Sequence, residues 1–290
     1  MNRLVIEDAA GLSPEQTFEC GQCFRWNREA DGSYTGTAYG KIAGISSGTA
    51  ASCGEGTLMI DNAGPEDLSF WKRYLDLDRD YGKIKKRLGC HDPVMARAIR
   101  KGSGIHILRQ EPWETVVSFI ISANNNIPRI KKCIESLAGN FGEKAGTFRG
   151  KTYYSLPGPE LLAGLTEDDL ACCRLGYRAG YLIRTAVKVA SDGMENLNGL
   201  RESSCEDAAC YIGELTGVGP KVANCILLFS LEKRDRFPVD VWMRKVMHQL
   251  YGLPEDDVKE MSRFAEEKFG EYAGIAQQYL YYYMREKGNR

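Results

Sequence analysis

The spacing of hydrophobic residues divides the chain into a strand-forming first part and a helical remainder. Residues 33–46 are rich in Tyr, Thr, Gly and Ile, and residues 57–60 form a short apolar run, as strands often do. The period then changes, because Leu68, Trp71 and Leu75 fall on one face of a helix. The first part therefore predicts an antiparallel sheet with helices.

Helical spacing dominates from residue 111 onward and predicts helices up to the end of the chain. The chain is therefore assigned an α+β fold, with an N-terminal antiparallel β-sheet domain with helices (1–107) and a mostly α-helical domain (108–290). Two of the expected helices begin with a capping box, at residues 166 and 204. The other expected helices are 81–88, 93–101, 112–123, one starting at 127, 220–231 and 272–287.

Composition and charge narrow the class of protein. The 290 residues are 43% hydrophobic and 27% charged, which are globular values. No apolar run reaches 18 residues and no secretion signal is visible, so we expect an intracellular protein, cytoplasmic or nucleoid-associated in a prokaryote, without a membrane span. The net charge of −1 hides segments of −6, +9 and −4, and residues 83–188 hold 18 basic and 9 acidic residues. Such a basic segment can bind phosphates, although a solvated helix face balanced by acids is the alternative.

The segment 215–225 carries the most informative motif. A helix is expected to end in a Gly-Val-Gly turn, where Gly217 and Gly219 permit positive φ and Pro220 suits the first position of the next helix. Free amides near Val218 and Gly219 would then form an anion site at a positive helix terminus, suited to a DNA phosphate. The pattern L-x-G-V-G-x-K is typical of a helix–hairpin–helix, and an ordinary tight turn is the alternative.

Lys221 and Asp240 are candidates for a catalytic pair. Lys221 lies in the first turn of a helix, where the positive helix terminus disfavours an ammonium and favours a nucleophilic amine. That helix is ~16 Å long and the link 232–239 spans at most ~28 Å, so the chain can return to the helix start. Asp240 would then cap the next helix beside Lys221. A phosphate-binding lysine and a purely capping aspartate are the alternatives.

Four further segments accompany the hairpin and the Pro-Val-Asp sequence at 238–240. In this order along the chain, they resemble segments of the 8-oxoguanine DNA glycosylases, helix–hairpin–helix enzymes with a Gly/Pro-Asp loop. The resemblance implies a bifunctional DNA glycosylase/AP lyase of base excision repair, acting as a monomer on double-stranded DNA that contains 8-oxoguanine opposite cytosine. The segments are GQCFRW (21–26), SANNNIPR (122–129), GYRAGY (176–181) and YAGIAQQYLY (272–281).

The resemblance also implies a mechanism. Lys221 would attack the sugar C1′ and expel the flipped base, and a Schiff base would then permit β-elimination, which nicks the strand. Asp240 would stabilise positive charge on the sugar. No cofactor is required, and no iron–sulfur cluster is expected because no cysteine follows residue 225. A structural monovalent or divalent cation would be held by three hairpin carbonyls, those of Gly213, Leu215 and Val218.

Four residues would recognise the base by this resemblance. The carbonyl of Gly21 would accept a hydrogen bond from N7–H, which 8-oxoguanine has and guanine lacks. Gln277 would read the pairing edge with its amide donor and acceptor, and Cys225 and Tyr281 would sandwich the base. A strand-edge glycine and ordinary core packing are the alternatives for Gly21 and for the two walls.

The strand opposite the lesion would be contacted by residues of the basic segment. Asn124 would fill the space left by the flipped base and bond the orphaned cytosine. Arg129 and Arg178 would accompany it on the cytosine edge, and Tyr177 would wedge the neighbouring base step. A helix cap for Asn124 and solvated arginines are the alternatives.

Some positions depart from the family pattern or admit other functions. Trp242 stands where many relatives have a phosphate-binding histidine, and Tyr281 where Phe is frequent. Cys20-x-x-Cys23 allows a redox or zinc site, although a second matched cysteine pair is missing. An alkylpurine glycosylase of the same fold and a non-catalytic helix–hairpin–helix module are the alternative functions. Lys221 argues against the first and the Lys221–Asp240 pair against the second.

Overall fold

The computed structural model describes residues 2–7, 9, 11–48 and 56–288, with side chains up to residue 285. Its N-terminal part contains an antiparallel sheet of five strands in the order β1-β5-β4-β3-β2. The predicted strand segments form the middle of this sheet, so the α+β fold class is confirmed. The strands are β1 (Arg3–Ile6), β2 (Asn27–Arg28), β3 (Tyr34–Ala38), β4 (Lys41–Ser47) and β5 (Leu58–Asp61).

The sheet packs on an aromatic cluster that also anchors the segment 21–26. Trp26 stacks on Phe18 of α1 (Pro14–Glu19) with ring centroids 4.5 Å apart. Its indole N–H donates to the hydroxyl of Tyr74, at the end of α2 (Leu68–Tyr74), at 2.8 Å. The buried indole thus has both an aromatic contact for its ring and a hydrogen-bond partner for its N–H, which holds the chain just before Trp26 in one place.

Most of the predicted helices lie within one or two residues of their predicted positions. Pro93, Pro112 and Pro220 each occupy the first turn of a helix, where the missing N–H costs nothing. The helices are α3 (Tyr81–Gly89), α4 (Pro93–Lys101), α5 (Pro112–Ser122), α6 (Ile127–Phe141), α7 (Pro159–Ala163), α8 (Arg178–Asp192), α9 (Met194–Gly199), α10 (Cys205–Gly213), α11 (Pro220–Ser230), α12 (Val241–Tyr251), α13 (Val258–Phe269) and α14 (Ala273–Gly288). Of these, α7, α8, α9 and α13 are added by the structure to the predicted helices. The capping box expected at residue 166 begins a 3₁₀ helix, Asp169–Cys173, instead of an α-helix.

The prediction that only helices follow residue 111 is wrong in one place. A second antiparallel sheet is formed by β6 (Lys144–Phe148) and β7 (Lys151–Tyr154). Arg149 and Gly150 both have positive φ at the turn, which matches the twist of a two-residue hairpin. Phe148 of β6 packs with Ile42 of β4 in a small buried cluster. This contact with the N-terminal sheet gives the hairpin the apolar face that makes it stable.

The core is divided into a cluster under the sheet and a larger cluster among the helices. Residues of α3 and α4, such as Ile84 and Met95, belong to the helical cluster although they precede residue 107. The boundary at residue 107 remains a prediction. None of the described helices has the length and apolar character that a membrane crossing requires.

Candidate functional site

The helix–hairpin–helix is formed by α10, α11 and the turn between them. Gly217 has a φ of +84°, and a Cβ added there would lie 2.6 Å from the ring of Tyr181. Glycine is therefore required at position 217 for two reasons, the positive φ and the close approach of the Tyr181 ring. Gly219 does not have the expected positive φ, because its φ is −86° and its ψ is 175°. Pro220 follows it, and a residue before proline is pushed to extended conformations.

The expected anion site has fewer free amides than the sequence suggests. The N–H of Val218 is not free, because it donates to the carbonyl of Leu215 at 3.1 Å and closes the turn. The N–H of Gly219 makes no hydrogen bond within the described residues, and it lies at the N-terminus of α11. The amide of Gly219 and the first free amides of α11 are thus the phosphate donors that this turn offers.

The carbonyls expected to hold a cation lie at the end of α10. Gly213 is the last residue of that helix, where the helix dipole favours positive charge. Leu215 has one carbonyl lone pair engaged by Val218 N–H, which leaves a second for a metal. A Cβ at Gly213 would meet open space, so nothing crowds this side of the turn. The turn therefore fits a cation, and the cation itself stays a prediction.

Lys221 and Asp240 line the same two cavities, a small inner one of about 60 Å³ and an outer one of about 640 Å³. Lys221 is half-buried in the first turn of α11, and its Nζ lies 5.4 Å from the ring centroid of Phe119. Asp240 caps α12 as expected, because its Oδ1 accepts a hydrogen bond from Met243 N–H at 2.7 Å. The second carboxylate oxygen makes no hydrogen bond within the described residues and is available to the site.

The link between α11 and α12 is held by contacts with the segment before α3 and with the start of α14. Arg234 donates to the fully buried Asp76, and its carbonyl accepts from Gly274 N–H at 2.8 Å. A Cβ at Gly274 would lie 2.3 Å from Leu228 of α11, so only glycine lets these segments meet. The start of α14 is thereby held against α11, and Gln277 lines the same inner cavity as Lys221.

The two residues expected to sandwich the base, Cys225 and Tyr281, both line the inner cavity. Cys225 is buried, and burial raises the pKa of its thiol although Lys221 nearby lowers it, so this wall is an uncharged thiol. Burial also raises the pKa of Tyr281, and Asp240 adds to the effect. Gly21 has a φ of +82°, and a Cβ there would lie 3.6 Å from the Tyr281 ring. The cavity lining is Cys20, Gly21, Phe119, Lys221, Cys225, Phe229, Pro238, Asp240, Gln277, Gln278 and Tyr281.

The sequence does not point to Gln278, which the structure places in this cavity. Gln277 and Gln278 are 4% and 3% exposed, and Gln278 Nε2 donates to Gln277 Oε1 at 2.7 Å. Two adjacent amides in an otherwise apolar stretch are the signal that could have identified the second one. Buried amides need partners, so their presence in a core helix indicates a polar site.

Gly21 is held in place by its neighbour in the chain. Gln22 is fully buried and donates to the carbonyl of His106 at 2.8 Å, while its Oε1 accepts from Leu108 N–H at 2.9 Å. Three residues further on, Arg25 forms ion pairs with Glu114 of α5 and Glu135 of α6. The backbone around Gly21 is thus fixed to the helical part from two sides.

The outer cavity contains only some of the residues expected at the opposite strand. Asn124 is exposed in its lining, with a left-handed φ of +50°. Arg178 lies behind it and is 4% exposed, because its guanidinium donates to the carbonyls of Ala123 and Asn124. Tyr177 is 51% exposed, and the Arg178 guanidinium lies 4.5 Å from its ring centroid. Arg178 therefore supports the Asn124 loop in this structure.

Two further positions lie at the edge of this region. Arg129 does not line the outer cavity but a separate one of about 500 Å³, together with Lys132 and Arg174. Trp242 is 51% exposed and lines the outer cavity beside Asn124. An exposed indole therefore lines the same cavity as Lys221 and Asp240, at the position where a histidine was expected from the resemblance.

Two family models match the chain. Residues 4–116 match the 8-oxoguanine DNA glycosylase N-terminal domain, and residues 117–271 match the HhH-GPD superfamily of base excision DNA repair proteins. The chain belongs to the 8-oxoguanine DNA glycosylase family. The family is the one that the sequence motifs resemble, so that resemblance is confirmed.

Individual relatives extend the similarity over the whole chain. A structure of MBOgg1 in complex with a low-affinity DNA ligand is 45% identical, with a TM-score of 0.92, over 99% of this chain and 97% of that one. The Clostridium acetobutylicum 8-oxoguanine glycosylase/lyase, in complex with double-stranded DNA containing cytosine opposite 8-oxoG, is 39% identical, with a TM-score of 0.91, over 99% and 96%. N-glycosylase/DNA lyase OGG1 of Arabidopsis thaliana is 31% identical over 91% of this chain and 75% of its own length.

Proposed function

We propose that this enzyme removes 8-oxoguanine opposite cytosine from duplex DNA and nicks the strand at the resulting abasic site. The observation that carries the proposal is that Lys221 and Asp240 line one small cavity together with Gly21 and Gln277. The bound DNA of the Clostridium acetobutylicum relative, which contains cytosine opposite 8-oxoG, supports this choice of substrate.

The chemistry begins at the Lys221 amine. The neutral amine attacks C1′ of the flipped nucleotide, the bond from C1′ to N9 breaks, and its electron pair leaves with the base, which takes up a proton. Opening of the sugar gives a Schiff base between Nζ and C1′. Loss of a C2′ proton then expels the 3′ phosphate, which nicks the strand by β-elimination.

Asp240 acts on the sugar. One of its oxygens is engaged by Met243 N–H, so the carboxylate is oriented before substrate arrives. Its negative charge stabilises the positive charge that develops at C1′ as the base leaves, an effect that is large when the group is already in position. The same carboxylate can accept a proton from the attacking amine.

Base selection and strand binding follow the residues around the two cavities. The Gly21 carbonyl accepts from N7–H of the lesion, and guanine would face it with a lone pair. Asn124 and Tyr177 contact the opposite strand and the neighbouring base step, while Gly219 binds a backbone phosphate. A cation at the Gly213, Leu215 and Val218 carbonyls would add positive charge there.

Activity as an alkylpurine glycosylase is a less well supported alternative function for the same site. Such an enzyme removes a base that is already cationic, uses water as the nucleophile and usually lacks the lysine. The half-buried Lys221 amine beside Asp240 would have no use in that reaction.

Borohydride trapping tests the proposal directly. The protein is incubated with a duplex containing 8-oxoguanine opposite cytosine, and reduction of the Schiff base is expected to give a covalent adduct. Lys221→Gln should give none, whereas Lys259→Gln, a surface lysine of α13, should behave as wild type. An adduct formed by Lys221→Gln would exclude Lys221 as the nucleophile, and a wild-type protein without any excision would exclude the function.

A further inference from the structure

Gln278 has an unusual hydrogen-bonding position. Its side chain is 3% exposed and lines the inner cavity, and its Nε2 donates to Gln277 Oε1. Its Oε1 is buried and makes no hydrogen bond within the described residues. Of the buried polar atoms left without a partner there, it is the one whose residue lines the inner cavity. A buried amide oxygen without a donor is destabilising unless a ligand supplies one.

The Gln277–Gln278 bond changes what Gln277 can offer to a base. A primary amide has two lone pairs on its oxygen and two N–H donors. One lone pair of Gln277 is taken by Gln278, so one remains, together with the donors. Gln277 alone can therefore serve one donor and one acceptor on the edge of a base.

The pairing edge of a guanine derivative has more to satisfy. It presents the acceptor O6 and two donors, N1–H and the 2-amino group. Gln277 can match O6 and N1–H, which leaves the 2-amino group without an acceptor. Among the side chains that line the inner cavity, the remaining unengaged amide oxygen is that of Gln278.

We propose that Gln278 Oε1 accepts a hydrogen bond from the 2-amino group of the flipped lesion, which makes Gln278 a specificity-determining residue. This inference rests on the proposed function. The two adjacent glutamines then read the full pairing edge of guanine, while Gly21 reads the oxidised edge. A lesion with the same oxidised edge but no 2-amino group leaves Gln278 unsatisfied and is excised more slowly.

Excision of two lesions by two enzymes tests this assignment. The duplexes carry 8-oxoguanine or 8-oxohypoxanthine, which lacks only the 2-amino group, each opposite cytosine. Single-turnover rates are measured for wild type and for Gln278→Met, which removes the amide but keeps the length of the chain. The rate on 8-oxoguanine divided by the rate on 8-oxohypoxanthine should be about tenfold lower in Gln278→Met than in wild type. Differences between the duplexes cancel, because both enzymes meet the same pair of substrates.

Controls separate recognition from folding and from positioning. Gln249→Met, an exposed position of α12, should keep the wild-type ratio. Binding to a duplex with a tetrahydrofuran abasic site should be unchanged in Gln278→Met if that variant is folded. A wild-type enzyme that excises both lesions equally would overturn the inference without any variant. Equal losses on both lesions in Gln278→Met would also overturn it, since Gln278 would then act only through Gln277. Failure of wild type on 8-oxoguanine itself would instead sink the proposed function.

Discussion

The inner cavity and the DNA-facing surface of this enzyme are built in opposite ways. The inner cavity, of about 60 Å³, is lined by the N-terminal segment and by helices α11 and α14, and Asp240 and Gln277 in its lining each hold a hydrogen bond to another protein group. The outer cavity is ten times larger, and its lining includes the exposed Asn124 and Trp242. Under the proposed function, the Asp240 and Gln277 side chains are therefore oriented before DNA binds, while the surface proposed to receive the helix is open.

This difference follows from what each region must do. Catalysis gains from groups that need no rearrangement at the moment of reaction, so under the proposed function the hydrogen bond that orients Asp240 serves the rate. A surface that binds a duplex must match a long, hydrated polyanion, and wet, exposed contacts are adequate for that. Substitutions in the inner cavity should thus change the reaction rate, and substitutions on the outer surface should change binding.

The largest effect is expected for Asp240→Asn. Asparagine caps a helix as well as aspartate does, so stability should change little, but the charge that stabilises the sugar is lost. We expect the single-turnover excision rate to fall by about 10²- to 10³-fold with DNA affinity retained. The matched control is Asp257→Asn, which changes the N-cap of α13 in the same way and should leave the rate intact. A rate for Asp240→Asn within tenfold of wild type would argue against the catalytic role.

The buried His106, whose carbonyl accepts a hydrogen bond from Gln22 next to Gly21, should make the stability of the protein depend on pH. His106 is 3% exposed, and burial lowers its pKa to about 4. In the unfolded chain the imidazole has its ordinary pKa of about 6.5, so the unfolded state binds the proton first as pH falls. The stability that His106 contributes is complete above about pH 6.5 and declines toward pH 4, by about 3 kcal/mol in all.

Urea unfolding at pH 7 and pH 4.5 measures this loss. His106→Gln leaves no titratable group at position 106, so the difference in unfolding free energy between the two pH values should shrink in that variant. His248→Gln, an exposed position of α12, should keep the wild-type difference. An unchanged difference in His106→Gln would show that other groups cause the acid sensitivity.

Local signals in the sequence were enough to predict the hairpin, the position of Lys221 in the first turn of α11 and the Asp240 cap, because glycine, proline and capping residues act through their immediate neighbours. Contacts between distant segments were not predictable in this way. The β6–β7 hairpin depends on Ile42 of the other sheet, and Gln278 becomes informative only when its partner and the cavity are known. Arg178 was expected at the cytosine, and in the structure its guanidinium supports the Asn124 loop.

A smaller effect is expected for Gly21→Ala. A φ of +82° costs a residue with a side chain about 1–2 kcal/mol, and the added methyl would touch the Tyr281 ring in the cavity proposed for the base. We expect excision to fall about tenfold as a consequence of about 1.4 kcal/mol lost in the transition state. Gly40→Ala has a similar φ of +74° in open space, so it should lose stability but keep the rate. Equal activity losses in both variants would assign the effect to strain alone.

The smallest effect on the excision rate is expected for Tyr177→Ala on the outer surface. The Tyr177 ring is 51% exposed and lies against Tyr181 with centroids 5.4 Å apart, so it is supported without being buried. If it stacks on the base step beside the lesion, its removal costs about 1–3 kcal/mol of binding. We expect the dissociation constant for lesion DNA to rise about tenfold, while the single-turnover rate at saturating enzyme stays within about twofold of wild type. Val187→Ala, an equally exposed position of α8, should change neither quantity. A large fall in the saturated rate of Tyr177→Ala would mean that the outer surface also positions the sugar for Lys221, and the division between a fixed cavity and an open surface would be wrong.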